Sequence, residues 1–279
     1  MGVIEMVKKS WEASKNLLSV MVVVFAFNFV TATGLLMVIG VEPTPEKITS
    51  ITGILLILFV VLMLLWFLME GGIIAACTSG IKGNNVDLNE FPGNCVKFFT
   101  RLVAINIMGA MISLIIWFIG AFLSGIFIAL GGGNNIFFNI IGGIILFLTL
   151  IIAFLVAMPL LMSQYLAVSQ DGKAIDSLKK GFGLIKKYFG KAVLVFIILG
   201  FCLGGLSLVV NILGVLVGNV VKGWGLSIIN ILLTSTLNAF FSVFASCVIL
   251  TLLFAILNQA EPQAANEQTD LPSIDEKLE

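Results

Sequence analysis

The chain has 279 residues, of which 59% are hydrophobic and only 11% charged, with a formal net charge of zero and a mean hydropathy of +1.16. Soluble domains carry roughly 45–50% apolar and about 25% charged residues, so this composition excludes a water-soluble globular protein and makes lipid the solvent for much of the chain. Histidine is absent, which removes the commonest general base and the commonest metal ligand.

The first sixteen residues are polar and carry Lys8, Lys9 and Lys15. Six apolar runs follow, at about 17–40, 50–77, 102–130, 136–167, 192–220 and 225–258. Each reaches the roughly 20 residues that a membrane-spanning helix needs. The first run is too long for the core of a cleavable signal peptide and reads as a span. Pro159 lies inside the fourth and predicts a kink there. Short breaks, VEPTPEK (41–47), GGGNN (131–135) and NVVKGWG (219–225), separate the runs in pairs. Longer polar segments fill 1–16, 78–101 and 168–191. The tail at 259–279 is acidic, lacks apolar periodicity and is expected to be disordered.

Basic residues are sorted by side. Lys8, Lys9, Lys15, Lys82, Lys97, Arg101, Lys173, Lys179, Lys180, Lys186, Lys187 and Lys191 fall on one face of a six-span topology, and Lys47 and Lys222 on the other. Positive loops stay inside, so a multi-pass cell-membrane protein with both termini cytoplasmic is expected.

The chain also repeats itself. IEMVKKSWEASKNLL (4–18) overlays IDSLKKGFGLIKKYF (175–189) at an offset of 171 positions, and LNEFPGNCVKFFTRLV (88–103) is a weaker copy. The expected fold class is therefore all-α: a polytopic membrane protein of six transmembrane helices, built as three repeated units of interfacial amphipathic helix plus transmembrane hairpin. The membrane domain covers 1–258, with units at about 1–77, 85–168 and 173–258, in a quasi-threefold arrangement. In the third copy Ile175, Leu178, Phe182, Ile185 and Phe189 recur at steps of three and four, one face of a helix. Such a helix lies in the interface with its lysines toward phosphates. Lys8, Lys9, Lys15, Lys179, Lys180, Lys186, Lys187 and Lys191 are thus candidate headgroup contacts. The competing reading is that they only fix topology. The second copy carries Pro92 and Gly93 and fits an architectural role better.

Inside the spans, Glu70 is the one embedded acid. It is a candidate for protonation, cation binding or an ion pair near the cytoplasmic interface. The sixth run aligns Ser227, Asn230, Thr234, Asn238, Ser242 and Ser246 on one face, and the fifth aligns Gly200, Gly204, Ser207, Asn211, Gly214 and Gly218. Close helix packing is the expected meaning; a polar seam open to a substrate is the alternative. The four cysteines are scattered and read as small apolar residues. No catalytic motif, paired intramembrane carboxylates, metal site or cofactor signature is present, so no enzyme and no cofactor is expected. Membrane lipids, anionic ones foremost, are the expected partners. A protein partner could dock on the cytoplasmic helices or the tail; no nucleic acid is expected.

VSQDGKAIDSLKKGFGLIKKYFGKAVLVFIIL (168–199) and GGIIAACTSGIKGNNVDLNEFPGNCVKFF (71–99) resemble the six-span membrane domain fused to some bacterial glycerophosphoryl diester phosphodiesterases, and related stand-alone prokaryotic proteins. In that family the catalytic barrel is a separate soluble domain. The resemblance implies the architecture and not the activity, and it carries over no catalytic residue. The leading expectation is a lipid-interacting or scaffolding membrane protein. The alternative is a transporter or channel for a small or amphiphilic solute, using Glu70 and the polar face of the sixth span.

Overall fold

A computed structural model describes residues 2–40, 45–84, 86–131, 135–218 and 221–269. Among them lie eight helices: α1 (Val3–Lys15), α2 (Leu18–Ile39), α3 (Pro45–Ile81), α4 (Phe91–Leu130), α5 (Ile136–Ser169), α6 (Ala174–Lys187), α7 (Phe189–Gly218) and α8 (Trp224–Thr269). Six stretches are long and apolar enough to cross a membrane: Leu18–Ile39, Ile51–Ile81, Phe91–Leu130, Ile136–Ser169, Phe189–Val217 and Trp224–Gln259. The chain is a multi-pass membrane protein, all-helical among the described residues. Large side chains such as Phe118 and Phe201 stay 73% and 78% exposed, surface that only lipid can cover at low cost.

The chain divides into two compact units. One combines Met1–Val30, Ala76–Val86 and Gly190–Glu279; the other combines Thr31–Ala75 and Asp87–Phe189. In the first, α8 is the core element. In its most apolar window 61% of the residues are buried, against 17% or less in the other spans. Val243, Cys247, Leu250 and Leu253 are closed off from solvent along it. Helix α1 lies on α8: the Ser10 hydroxyl donates to Thr251 Oγ1 (3.0 Å) and Trp11 packs edge-on against Phe240 and Phe244.

In the second unit α4 and α5 form a tight antiparallel pair. Gly109 lies where a Cβ would stand 2.9 Å from Leu160, and Gly142 where one would stand 2.8 Å from Ile128. Gly120 has no room for a Cβ beside Thr149. The Ser124 hydroxyl donates to the Gly142 carbonyl (3.0 Å). Small residues let the backbones approach, which is how helices associate without a hydrophobic drive between them. Pro159 sits inside α5 without ending it, and its carbonyl accepts the Ser163 hydroxyl (2.6 Å).

One expectation changes. The second basic copy forms no separate interfacial helix: α4 runs unbroken from Phe91, with Pro92 in its first turn, where the missing N–H has no intrahelical partner to lose. Copies one and three do break, at Asn16–Leu17 and at Tyr188, which are equivalent positions at the 171-residue offset. In the tail, helical backbone of α8 extends through 259–269, and 270–279 lie outside the described residues.

Candidate functional site

The eight candidate lysines, Lys8, Lys9, Lys15, Lys179, Lys180, Lys186, Lys187 and Lys191, are all exposed. Helix α6 shows how its sequence divides labour. Its buried positions are Ser177, Gly181 and Ile185, a stripe of small or branched residues four apart. Gly181 is set against the Pro159 carbonyl of α5, 2.8 Å from where its Cβ would be. Of the expected apolar face only Ile185 is buried; Ile175, Phe182 and Phe189 stay 60%, 41% and 45% exposed. The physical reason is that close approach to α5 needs a small residue, so the bulky face turns aside. At 100° per residue, that bulky face lies between the buried stripe and Lys179 and Lys186.

Helix α1 buries Met6, Ser10, Ala13 and Ser14. Met6, Ser10 and Ser14 are the positions of Ser177, Gly181 and Ile185 shifted by 171. At the start of α4, Phe91 and Cys95 are buried at the positions of Gly181 and Ile185 shifted by 90, and they abut Gly72 of α3. Each of these three basic segments packs on another helix: α1 on α8, α4 on α3 and α6 on α5.

Glu70 is half-buried on α3, directly before Gly71 and Gly72. Gly71 faces Phe98 and Gly72 faces Phe91. Glu70 therefore stands level with the basic start of α4. Among the described residues no ion pair includes it.

The polar faces of α7 and α8 meet, but loosely. A half-open cleft of about 360 Å³ lies between them, lined by Ser207, Asn211, Thr234, Asn238, Leu237 and Phe241. Asn230 approaches α7 more closely, with its Oδ1 3.0 Å from where a Gly214 Cβ would lie. Among the described residues, a Cβ on Gly200 or Gly204 would meet nothing within 4 Å. Gly218, the last of the stripe, ends α7.

One residue was missed from the sequence. Asp171 follows α5 in a left-handed conformation (φ 53°). Its carboxylate accepts Lys97 Nζ (3.0 Å) and Arg101 Nη1, one turn apart on α4. Hydrogen bonds from Arg101 and Lys97 hold its carboxyl below the usual carboxylate range. The Asp171-Gly172 dipeptide is a turn signal that could have marked it. The chain matches no protein-family model, no curated protein and no solved structure.

Proposed function

We propose that the protein is a non-enzymatic membrane module that engages lipid headgroups, anionic ones foremost, through basic segments at the cytoplasmic surface. A scaffolding role for a protein partner on the same helices or on the acidic tail is compatible with it. The observation that carries this reading is the three-way division of α6: small stripe against α5, bulky apolar stripe uncovered, and the exposed Lys179 and Lys186 beside that stripe. An interfacial helix needs this pattern, with aromatics at the acyl boundary and ammonium groups at phosphates. Within each unit the basic groups gather at one end. Lys97, Arg101 and Lys180 are joined through Asp171 and Gln170 in one, and Lys191 meets Gln259 in the other. Both termini then lie in the cytoplasm. The thrice-used packing register supports a chain of three related units and fits the six-span resemblance.

Replacing Lys179, Lys180, Lys186 and Lys187 with Gln is expected to weaken retention of anionic lipid in native mass spectra of the full chain. Unchanged retention would remove the lysines of α6 from the headgroup contact.

The cleft between α7 and α8 favours a second reading, passage of a small or amphiphilic solute. Its lining offers hydroxyl and amide groups, and Glu70 is not among them.

A further inference from the structure

At the basic end of the unit that holds α4 and α5, Lys97 and Arg101 share the single carboxylate of Asp171. Lys9, Lys82 and Lys191 have no acidic partner among the described residues, although Glu5 stands one helical turn from Lys9. Two of these three cations ring a recess of about 380 Å³ where α1, the end of α3 and α8 converge. That volume falls within the usual range for small-ligand sites, about 300–1,000 Å³.

The recess is built in tiers. Thr251 forms its floor, 2% exposed, with its hydroxyl donating to the Cys247 carbonyl (2.7 Å) and accepting from Ser10. Phe254 forms an apolar wall, and the Lys82 ammonium sits 5.7 Å from its ring centroid. The rim carries Lys9, Lys82, Asn258 and Gln259. Lys191 Nζ donates to Gln259 Oε1 (3.1 Å), so the side chain of Gln259 keeps its amide N–H groups to offer and brings a third cation beside the rim. Among the described lining residues none is acidic. Everything the rim presents is a cation or a side-chain amide, above a floor and wall that offer apolar surface. A cation paired with a carboxylate is spent; these are not.

We infer that this recess between α1, the α3 end and α8 binds a phosphate-bearing anion, with Lys9 and Lys82 as its direct charge partners and Asn258 and Gln259 as amide donors. The inference rests on the headgroup-binding reading above and assigns it a particular site. A lipid headgroup and a free phosphate share the chemistry. The apolar wall gives the lipid a second contact that inorganic phosphate cannot use.

The test uses the full chain in neutral detergent, with native mass spectrometry after addition of phosphatidylglycerol, of phosphatidylcholine, or of inorganic phosphate alone. The expected result is one retained phosphatidylglycerol whose occupancy falls about thirtyfold in the Lys9→Gln/Lys82→Gln chain, the scale of two surface lysines near phosphate. Lys82→Arg is expected to restore most of the binding in the Lys9 background, because Arg keeps both the charge and the ring contact. Both lysines are exposed, and an unchanged unfolding temperature in the double variant confirms that folding is intact. Inorganic phosphate binding as tightly as the lipid, with the same loss in the double variant, supports the site and assigns it to the free anion. Phosphatidylglycerol retained undiminished by the double variant but lost from the four-lysine α6 variant overturns the recess and leaves the headgroup reading standing. Retention of phosphatidylcholine equal to that of phosphatidylglycerol, or of neither, overturns both.

Discussion

The α4–α5 and α7–α8 hairpins carry the same kind of sequence and pack differently. Both are rich in Gly and Ser at helical spacing. In the first, three glycines meet a knob: Gly109 meets Leu160, Gly120 meets Thr149, and Gly142 meets Ile128. In the second, Gly200 and Gly204 meet nothing, and amides and hydroxyls face each other across a cleft. A small residue permits close approach but does not cause it. The cause is a complementary side chain opposite, because without a hydrophobic drive in lipid the contact energy must come from packing.

The largest effect expected from this contrast is at Gly120. Gly120→Leu forces a side chain into the space held by Thr149 and should lower stability by about 1–3 kcal/mol or more, read as a drop in unfolding temperature in detergent. Gly204→Leu, placed in open space, should leave that temperature within about 0.5 kcal/mol of the starting protein. Equal losses at the two sites would mean that α7 is as tightly packed as α4. A smaller but cleaner signal comes from labelling. With Cys202 replaced by Ser, a cysteine at Asn238 should react with a membrane-impermeant maleimide if water fills the cleft. A cysteine at Thr149, within the closed hairpin, should not react. No reaction at either position would make the α7–α8 cleft a lipid-filled groove and remove the support for solute passage.

The smallest effect concerns the tie that closes the α4–α5 hairpin at its basic end. Asp171 has a depressed carboxyl, so its stabilising contribution is complete at neutral pH and is lost as pH falls through that depressed value. Asp171→Asn should therefore be slightly less stable than the starting protein at pH 7, and the two unfolding temperatures should converge in strong acid. The difference should also shrink in high salt, since the pair is exposed.

Much of the hydrophobic plan was legible because a span is a length requirement. The run predicted at 136–167 is α5 to within two residues, and the run at 17–40 is α2 to within one. The start of α4 was not legible at the same level. Pro92 and Gly93 read as breakers, and only the position of Pro92 in the first turn makes it compatible with a continuous helix. The face of α6 was half legible. The 3–4 spacing found the bulky stripe, but the stripe that packs is Ser177, Gly181 and Ile185, whose residue types carry no strong hydrophobic signal. The recess was illegible because it joins residues 9, 82 and 251–259, which periodicity cannot connect. Asn211, Thr234 and Asn238 were found as helical stripes, yet spacing alone could not tell a packed seam from an open one.

Helix α8 carries two unlike features on one unbroken axis. Asn238 lines the cleft and Phe254 walls the recess, sixteen residues apart, or about 24 Å at an α-helical rise. A helix transmits rotation along its length. A turn of α8 that widens the cleft also carries Thr251, Phe254 and Asn258 past Lys9 and Lys82. Both linings are carried by one continuous helix, so a rotation of α8 about its axis would displace the recess and the groove together.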